Sequence, residues 1–95
     1  MNRRNEFATA MEVLAALRES PLSSSRLAQR CNINYGRLSK RVDALFAAGW
    51  IGKETTGSQE VHTLTEKGLD ILLQYLRMSN EYQRGVKLTS GQEGF

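Results

Sequence analysis

Few residues in this chain suit metal binding, covalent cross-linking or membrane insertion. It contains one cysteine and one histidine among 95 residues, so a disulfide within the chain is excluded and a structural zinc site, which takes four such ligands, is not expected. No apolar run approaches the roughly 18 residues that a membrane-spanning helix needs, and the first residues lack the apolar stretch of a signal peptide. We expect a cytoplasmic protein with no metal, cofactor or membrane partner.

Arrangements of catalytic residues are also missing. The sequence has no phosphate-cradling Gly-Lys loop, no paired carboxylates near His62 and no nucleophile with a base. Cys31 is interpreted as a small core residue, with a reactive thiol as the alternative. An enzyme is therefore not the expected class.

The charges that are present lie unevenly along the chain. Up to Lys53 there are nine Lys or Arg against four Asp or Glu, and after it four against six. From Arg26 to Lys53 the only acid is Asp43. This segment suits an anionic partner such as nucleic acid, and the alternative is a solvated helical face. With 40% hydrophobic residues, the chain suits one domain with one core.

The sequence pattern of the first half of the chain predicts three helices. Apolar residues at helical spacing predict a helix over Glu6–Glu19, which Pro21 ends. The serines of Ser23–Ser25 supply an N-cap for a short helix that ends near Arg30 or Cys31.

The third helix, from Asn34 to Ala48, has the clearest pattern. The side expected to be buried carries Leu38, Val42, Leu45 and Phe46. Asn34, or failing it Asn32, can cap the helix, and Gly49 can end it. Because the link from the second helix is short, the two helices are expected to cross steeply, as a helix-turn-helix.

A β-hairpin and a last helix are predicted to follow. The strands run from Trp50 to Lys53 or Glu54 and from Glu60 to Leu64, with a loop over residues 55–59. Trp50 is interpreted as a lid over the helices, with base stacking as the alternative. His62 is interpreted as a partly buried packing residue, with a pH sensor as the alternative.

Thr65 caps the last helix, which is predicted from Glu66 to about Tyr82. Gly68 in its first turn indicates close backbone packing against the hairpin. Residues 1–5 are expected to form a flexible basic arm, residues 6–82 the domain and residues 83–95 a polar, glycine-containing tail.

The last helix carries two apolar stripes, which is more than one buried face requires. One stripe comprises Leu69, Leu72, Leu73 and Leu76. The other is expected to meet a second copy of the chain, together with residues of the first helix, and the alternative is that the tail folds over it. The predicted dimer interface is Phe7, Met11, Ile71, Tyr75, Met78 and Tyr82.

This order of elements resembles the winged helix-turn-helix domain. The segment RLAQRCNINYGRLSKRVDALFAAGWI resembles the second and third helices of prokaryotic winged-helix regulators, and HTLTEKG resembles the end of the wing and the start of the last helix. Over Glu6 to Tyr82 the chain is similar to small archaeal winged-helix DNA-binding proteins. That resemblance implies a mainly α fold with a small β-hairpin, binding of double-stranded DNA, and a homodimer formed by the last helix.

Departures from the family's pattern also carry expectations. His62 stands where the family commonly has an aromatic residue, usually tyrosine, and the last helix looks shorter than the family's coiled coil. Glu54 and Glu60 flank the wing where basic residues would be expected, so we expect no strong wing contact.

In this interpretation the first half of the third helix enters the major groove, where Tyr35, Arg37 and Lys40 contact the DNA directly. The start of the second helix and the wing meet backbone phosphates. The predicted DNA-binding residues are Ser23, Ser24, Ser25, Arg26, Asn34, Tyr35, Arg37, Ser39, Lys40, Arg41, Lys53, Thr55, Thr56 and Ser58. Arg3 and Arg4 add an electrostatic arm. The expected role is a nucleoid-associated transcriptional regulator, and the alternatives are a low-specificity chromatin-type protein and a protein-interaction module.

Overall fold

The computed structural model describes residues 5–93, which form four helices and two strands. Their order is α1 (Glu6–Glu19), α2 (Ser24–Cys31), α3 (Tyr35–Ala48), β1 (Ile51–Thr56), β2 (Gln59–Leu64) and α4 (Glu66–Glu93). The strands pair antiparallel, so the predicted class, mainly α with a small β-hairpin, is confirmed. Within residues 5–93, no helix combines the length and the apolar character needed to cross a membrane.

Side-chain caps determine where α2 and α3 begin. Ser23 Oγ accepts a hydrogen bond from the amide of Arg26 (3.3 Å), and Asn34 Oδ1 accepts one from the amide of Arg37 (2.8 Å). These bonds satisfy amides that have no partner within the first helical turn. Gly49 ends α3 with a left-handed backbone (φ 83°). The predicted helix-turn-helix and its caps are confirmed.

The hairpin is longer than predicted. β1 was expected to stop at Lys53 or Glu54, but it continues to Thr56, and β2 begins at Gln59. The loop was predicted over residues 55–59, but only two residues separate the strands. Gly57, with φ 64°, supplies the positive φ that a two-residue hairpin loop requires, and the β-branched threonines before it favour strand.

A single residue before α2 forms an isolated β-bridge with the second strand. The amide of Leu22 donates to the carbonyl of His62 (3.2 Å), and the amide of His62 donates to the carbonyl of Leu22 (2.8 Å). The segment between α1 and α2 is therefore bound to the wing, which fixes the wing beside the start of α2.

One hydrophobic core joins all four helices and the first strand. Its largest fully buried side chains are Val13, Leu14, Leu27, Leu38, Ile51 and Leu72. Cys31 lies in this core as predicted. At the entry to α4, the hydroxyl of Thr65 donates to the carbonyl of Gly49 (2.8 Å) and accepts from the amide of Gly68 (3.0 Å). The core therefore positions α3, the wing and α4 relative to each other.

Two predictions about helices are wrong. The last helix was expected to end near Tyr82, but α4 continues to Glu93. This stretch contains no proline, and each of its two glycines, Gly85 and Gly91, costs only about 1 kcal/mol in a helix that is already formed. Phe46 was expected on the buried side of α3, but its side chain is 48% exposed. It lies in the last turn of α3, where Leu45 takes the inward position, and its ring is covered by Lys53, whose Nζ lies 4.9 Å from the ring centroid.

Candidate nucleic-acid interface

The first two turns of α3 present polar and basic side chains to solvent. Tyr35, Arg37, Ser39 and Lys40 are all exposed, while Leu38 between them is fully buried. Among the side chains that the structure describes, those of residues 5–88, neither Arg37 nor Lys40 has a salt-bridge partner. The core residue thus holds the helix in place, and the charged residues beside it remain accessible to an anionic partner. Asn34 is also exposed, and its side-chain oxygen caps the helix.

The start of α2 lies beside this surface, but its three serines differ. The hydroxyl of Ser23 caps the helix, and the hydroxyl of Ser24 lies 2.9 Å from His62 Nε2. Ser25 and Arg26 are exposed. Two of the three serine hydroxyls predicted to contact phosphate therefore have partners inside the protein. An external anion can reach Ser25 and Arg26 more easily, because both side chains are exposed.

A groove connects α2, α3 and the wing. It is lined by Ser23, Ser24, Ser25, Arg26, Gln29, Tyr35, Gln59 and Glu60. The fold thus brings Tyr35 and the start of α2 together with Gln59 and Glu60 of the second strand, neither of which was a predicted DNA-binding residue. Glu60 is an acidic residue in this groove, and in the described part of the chain it forms no salt bridge.

The predicted wing contacts divide between the two faces of the hairpin. Lys53 pairs with His62 and Thr55 with Glu60, whereas Thr56 pairs with Gln59. Because successive strand residues point to opposite faces, Lys53 and Thr55 share a face with His62, and Thr56 lies on the other. Ser58 lies in the turn, and all four predicted wing residues are exposed.

Arg41 differs from Arg37 and Lys40 because it has a partner within the domain. Its Nη1 lies 3.5 Å from Glu6 Oε1, at the start of α1. The Arg41 side chain is only 23% exposed, whereas that of Glu6 is 81% exposed. Nothing in the sequence indicated this contact, since it depends on how α1 packs against α3.

His62 is buried in the middle of this arrangement. Its side chain is in contact with Ser24, its exposed fraction is 3%, and its Nδ1 has no hydrogen-bond partner among the described residues. Burial lowers the pKa of His62, Lys53 lowers it further and Glu60 opposes both. The ring is therefore neutral at pH 7, which agrees with the predicted packing role.

Apart from Met11, the residues predicted for the dimer interface line an apolar groove between α1 and α4. Phe7 and Tyr75 meet edge to face, with ring centroids 5.6 Å apart, and Met78 and Tyr82 are strongly exposed. Ile71 is half-buried, and Trp50 lines the same groove, a role that the sequence did not predict. The prediction that Met11 belongs to the dimer interface is wrong, because its side chain is only 2% exposed and lies in the core. The wide apolar arc of α1 is largely used within the protomer.

Comparisons with known proteins agree on the fold. The model of the winged helix-turn-helix family matches residues 3–83. No curated protein is significantly similar to the chain. Within the described residues, no group of three or more His, Cys, Asp or Glu is placed to hold a metal ion.

Among solved structures, the zinc-responsive MarR family member ZitR of Lactococcus lactis has a TM-score of 0.72 at 15% identity, over 97% of this chain and 65% of that chain. The homodimeric winged helix-turn-helix DNA-binding domain of Mb0332 from Mycobacterium bovis has a TM-score of 0.71 at 14% identity, over 81% of this chain and 72% of that chain. The transcriptional regulator BldR of Sulfolobus solfataricus has a TM-score of 0.69 at 23% identity, over 90% of this chain and 69% of that chain. The chain spans about two thirds of the length of these structures, and at such identities the likeness concerns the fold alone. The family match over residues 3–83 shows that the chain belongs to the winged helix-turn-helix family.

Proposed function

We propose that this chain binds double-stranded DNA through α3 and acts as a dimeric transcriptional regulator. The observation that carries the proposal is the accessible surface formed by Tyr35, Arg37 and Lys40 in the first two turns of α3, beside the exposed Arg26 of α2. An α-helix with basic side chains on its open face fits the major groove of duplex DNA. The transcriptional regulator BldR and the possible ArsR-family regulator Mb0332 share this fold, which supports the proposal.

Some residues of this surface suit base edges, and others suit backbone phosphates. Arg37, which can donate two hydrogen bonds at once, suits the O6 and N7 acceptors of a guanine, and Lys40 and Tyr35 lie beside it. Ser39 is positioned for a base edge or a phosphate. Arg26, Ser25 and the free amides at the start of α2 suit the backbone. The phosphate contacts supply affinity and register, and the contacts of α3 supply sequence preference.

The wing is expected to contribute less than α3. Lys53, Thr55, Thr56 and Ser58 are exposed and can approach the neighbouring backbone. However, Glu54 and Glu60 add two negative charges to the same hairpin, and both are exposed. Like charges repel phosphate at short range, so the wing adds a weak contact rather than an anchor.

We place the dimer interface on the apolar groove of α1 and α4. Phe7, Met78 and Tyr82 are exposed, and together with the half-buried Tyr75 they line an apolar groove. A second copy has the same surface, so a two-fold axis would cover both at once. The homodimeric state of the Mb0332 domain supports this choice. Two copies of α3 would then face successive turns of one duplex.

The proposal is tested by removing charge from α3 alone. Arg37→Ala with Lys40→Ala should weaken duplex binding by at least about tenfold, because each charge-assisted contact is worth about 1–3 kcal/mol. Fluorescence anisotropy with a labelled duplex measures the change, and circular dichroism checks the fold. Arg18→Ala with Lys67→Ala removes the same charge from exposed residues outside α2, α3 and the wing. Equal binding by the two double variants would contradict the role of α3.

Selection from a random duplex pool tests the regulatory part of the proposal. A regulator should enrich a consensus with two related half-sites, since a two-fold dimer reads DNA symmetrically. Binding without any consensus would contradict the regulator and support a chromatin-type protein. A folded wild-type protein that binds no duplex at low salt would contradict DNA binding itself and support an interaction module.

A further inference from the structure

A cleft between the first turn of α1 and the first half of α3 gathers three cationic side chains. It is lined by Glu6, Thr9, Ile33, Arg37, Lys40 and Arg41. Lys40 and Arg41 follow Arg37 by three and four residues, so the three cations lie along one flank of α3. Glu6 is the single acidic side chain in the lining. Apart from that carboxylate, the cleft has the chemistry of an anion site.

The contact between Glu6 and Arg41 is a loose one. The charged atoms lie 3.5 Å apart, and Glu6 reaches Arg41 from a position that is 81% exposed. Exposed ion pairs contribute little to stability, because water and salt compete with them. Arg41 is the better fixed partner, since its side chain is only 23% exposed. The carboxylate can therefore leave while the guanidinium stays in the cleft.

We propose that this cleft is a seat for one backbone phosphate of duplex DNA, and that Glu6 occupies it in the free protein. The inference rests on the proposed function, because the phosphate arrives only if α3 approaches DNA. A phosphate offers the planar guanidinium of Arg41 two acceptor oxygens, and the ammonium of Lys40 in the same lining adds a further charged contact, while Arg37 stays with the base edges. Glu6, once displaced, remains at the positive end of the α1 dipole, where a carboxylate is favoured. The exchange thus replaces one weak contact with several stronger ones.

The second salt bridge of the described region provides a matched control. Arg30 Nη2 contacts Glu19 Oε1, and both side chains are largely exposed. Glu19 lies on the same helix as Glu6, but at its other end and outside the cleft. Replacing either glutamate with glutamine removes one negative charge and one surface ion pair. Only the change at Glu6 empties the proposed phosphate seat.

The test compares Glu6→Gln with Glu19→Gln in duplex binding at several salt concentrations. Glu6→Gln should tighten binding several-fold at low salt, whereas Glu19→Gln should change it much less. In the wild type, salt also weakens the ion pair of Glu6 with Arg41 that the phosphate must displace, which partly offsets the loss of DNA affinity with salt. The variant lacks this offset, so its log affinity should fall more steeply with log salt. Thermal unfolding confirms that both variants are folded.

A second pair of variants shows whether the gain passes through Arg41. In the presence of Arg41→Gln, the substitution Glu6→Gln should give no further gain, because the seat has lost its main ligand. Weaker binding by Glu6→Gln, a gain equal to that of Glu19→Gln, or a gain that persists with Arg41→Gln would overturn the phosphate seat. If wild-type protein binds DNA but any of these three contradicting outcomes is observed, the phosphate seat is wrong and the proposed function is unaffected. If folded wild-type protein binds no DNA, the proposed function fails and the seat with it.

Discussion

At the scale of single residues, His62 connects three parts of the domain. Its backbone amide and carbonyl bond to Leu22, its ring lies 2.9 Å from the hydroxyl of Ser24, and across the hairpin it pairs with Lys53. The wing is therefore tied to the start of α2 through one buried side chain. A charge on that ring would disturb the position of both elements relative to α3.

Acid should destabilise the protein through His62. Burial lowers its pKa in the folded state, so the unfolded chain binds the proton more tightly. The stabilising effect is complete above the unfolded pKa of about 6.5 and is lost as the pH falls through the folded value. Urea unfolding at pH 7.5 and at mildly acidic pH measures this loss. The variant His62→Gln should show a smaller change between the two pH values, and an equal change in both proteins would exclude His62 as the cause.

Gly68 is a residue whose side chain must be absent. A Cβ at this position would overlap the carbonyl of Trp50 and crowd Leu64. Gly68→Ala should therefore lower the free energy of unfolding by about 1–3 kcal/mol, as overpacking does in other cores. Gly85 lies in the same helix, and a Cβ there would meet nothing within 4 Å, so Gly85→Ala should raise stability by up to about 1 kcal/mol. Urea unfolding compares them, and a neutral Gly68→Ala would contradict the close packing.

At the scale of elements, local signals predicted boundaries well where a cap residue was present. Ser23, Asn34 and Gly49 each bond or bend the backbone within a few residues, and the starts of α2 and α3 and the end of α3 lie where they indicate. The end of α4 was mispredicted because residues 83–93 contain glycines but no proline or cap that would stop a helix. The extent of the hairpin was mispredicted because Gly57 makes a tighter turn than the polar loop suggested.

The exposed stripe of α4 should control assembly of the protein. Tyr75→Glu with Met78→Glu places two charges in the apolar groove, which should convert a dimer to a monomer, because buried unpaired charges are costly. Light scattering measures the mass. Asn80→Glu with Gln83→Glu adds the same charge to exposed positions on the other side of α4 and should leave the dimer intact. A monomeric wild-type protein would contradict the assignment of this face.

At the scale of the whole molecule, the sequence predicted which side chains of α3 are exposed to solvent better than it predicted which contacts they make within the domain. Tyr35, Arg37 and Lys40 are exposed as the helical period of α3 indicated. The contact of Arg41 with Glu6 and the burial of Met11 depend on the packing of α1, which periodicity alone does not determine. A periodic pattern shows that a side of a helix is apolar, but it does not show what covers that side.

The charges are also distributed unevenly along the chain. The segment up to Lys53, which includes α2 and α3, has nine basic and four acidic residues, and the remainder has four and six. If the chain binds DNA as proposed, the attraction should be stronger toward the segment that carries α2 and α3 than toward α4. With roughly 6 to 10 phosphate contacts per dimer, affinity should depend strongly on salt.

Contact between duplex DNA and the starts of α2 and α3 can be observed residue by residue through amide chemical shifts. Isotope-labelled wild-type protein is titrated with a short duplex at low salt, and the shifts of each backbone amide are followed. We predict that the largest shifts occur over residues 23–26 and 35–41, with smaller ones in the wing and little change in the middle of α4. Shifts concentrated on α4, or no shifts at all, would contradict DNA binding through α3.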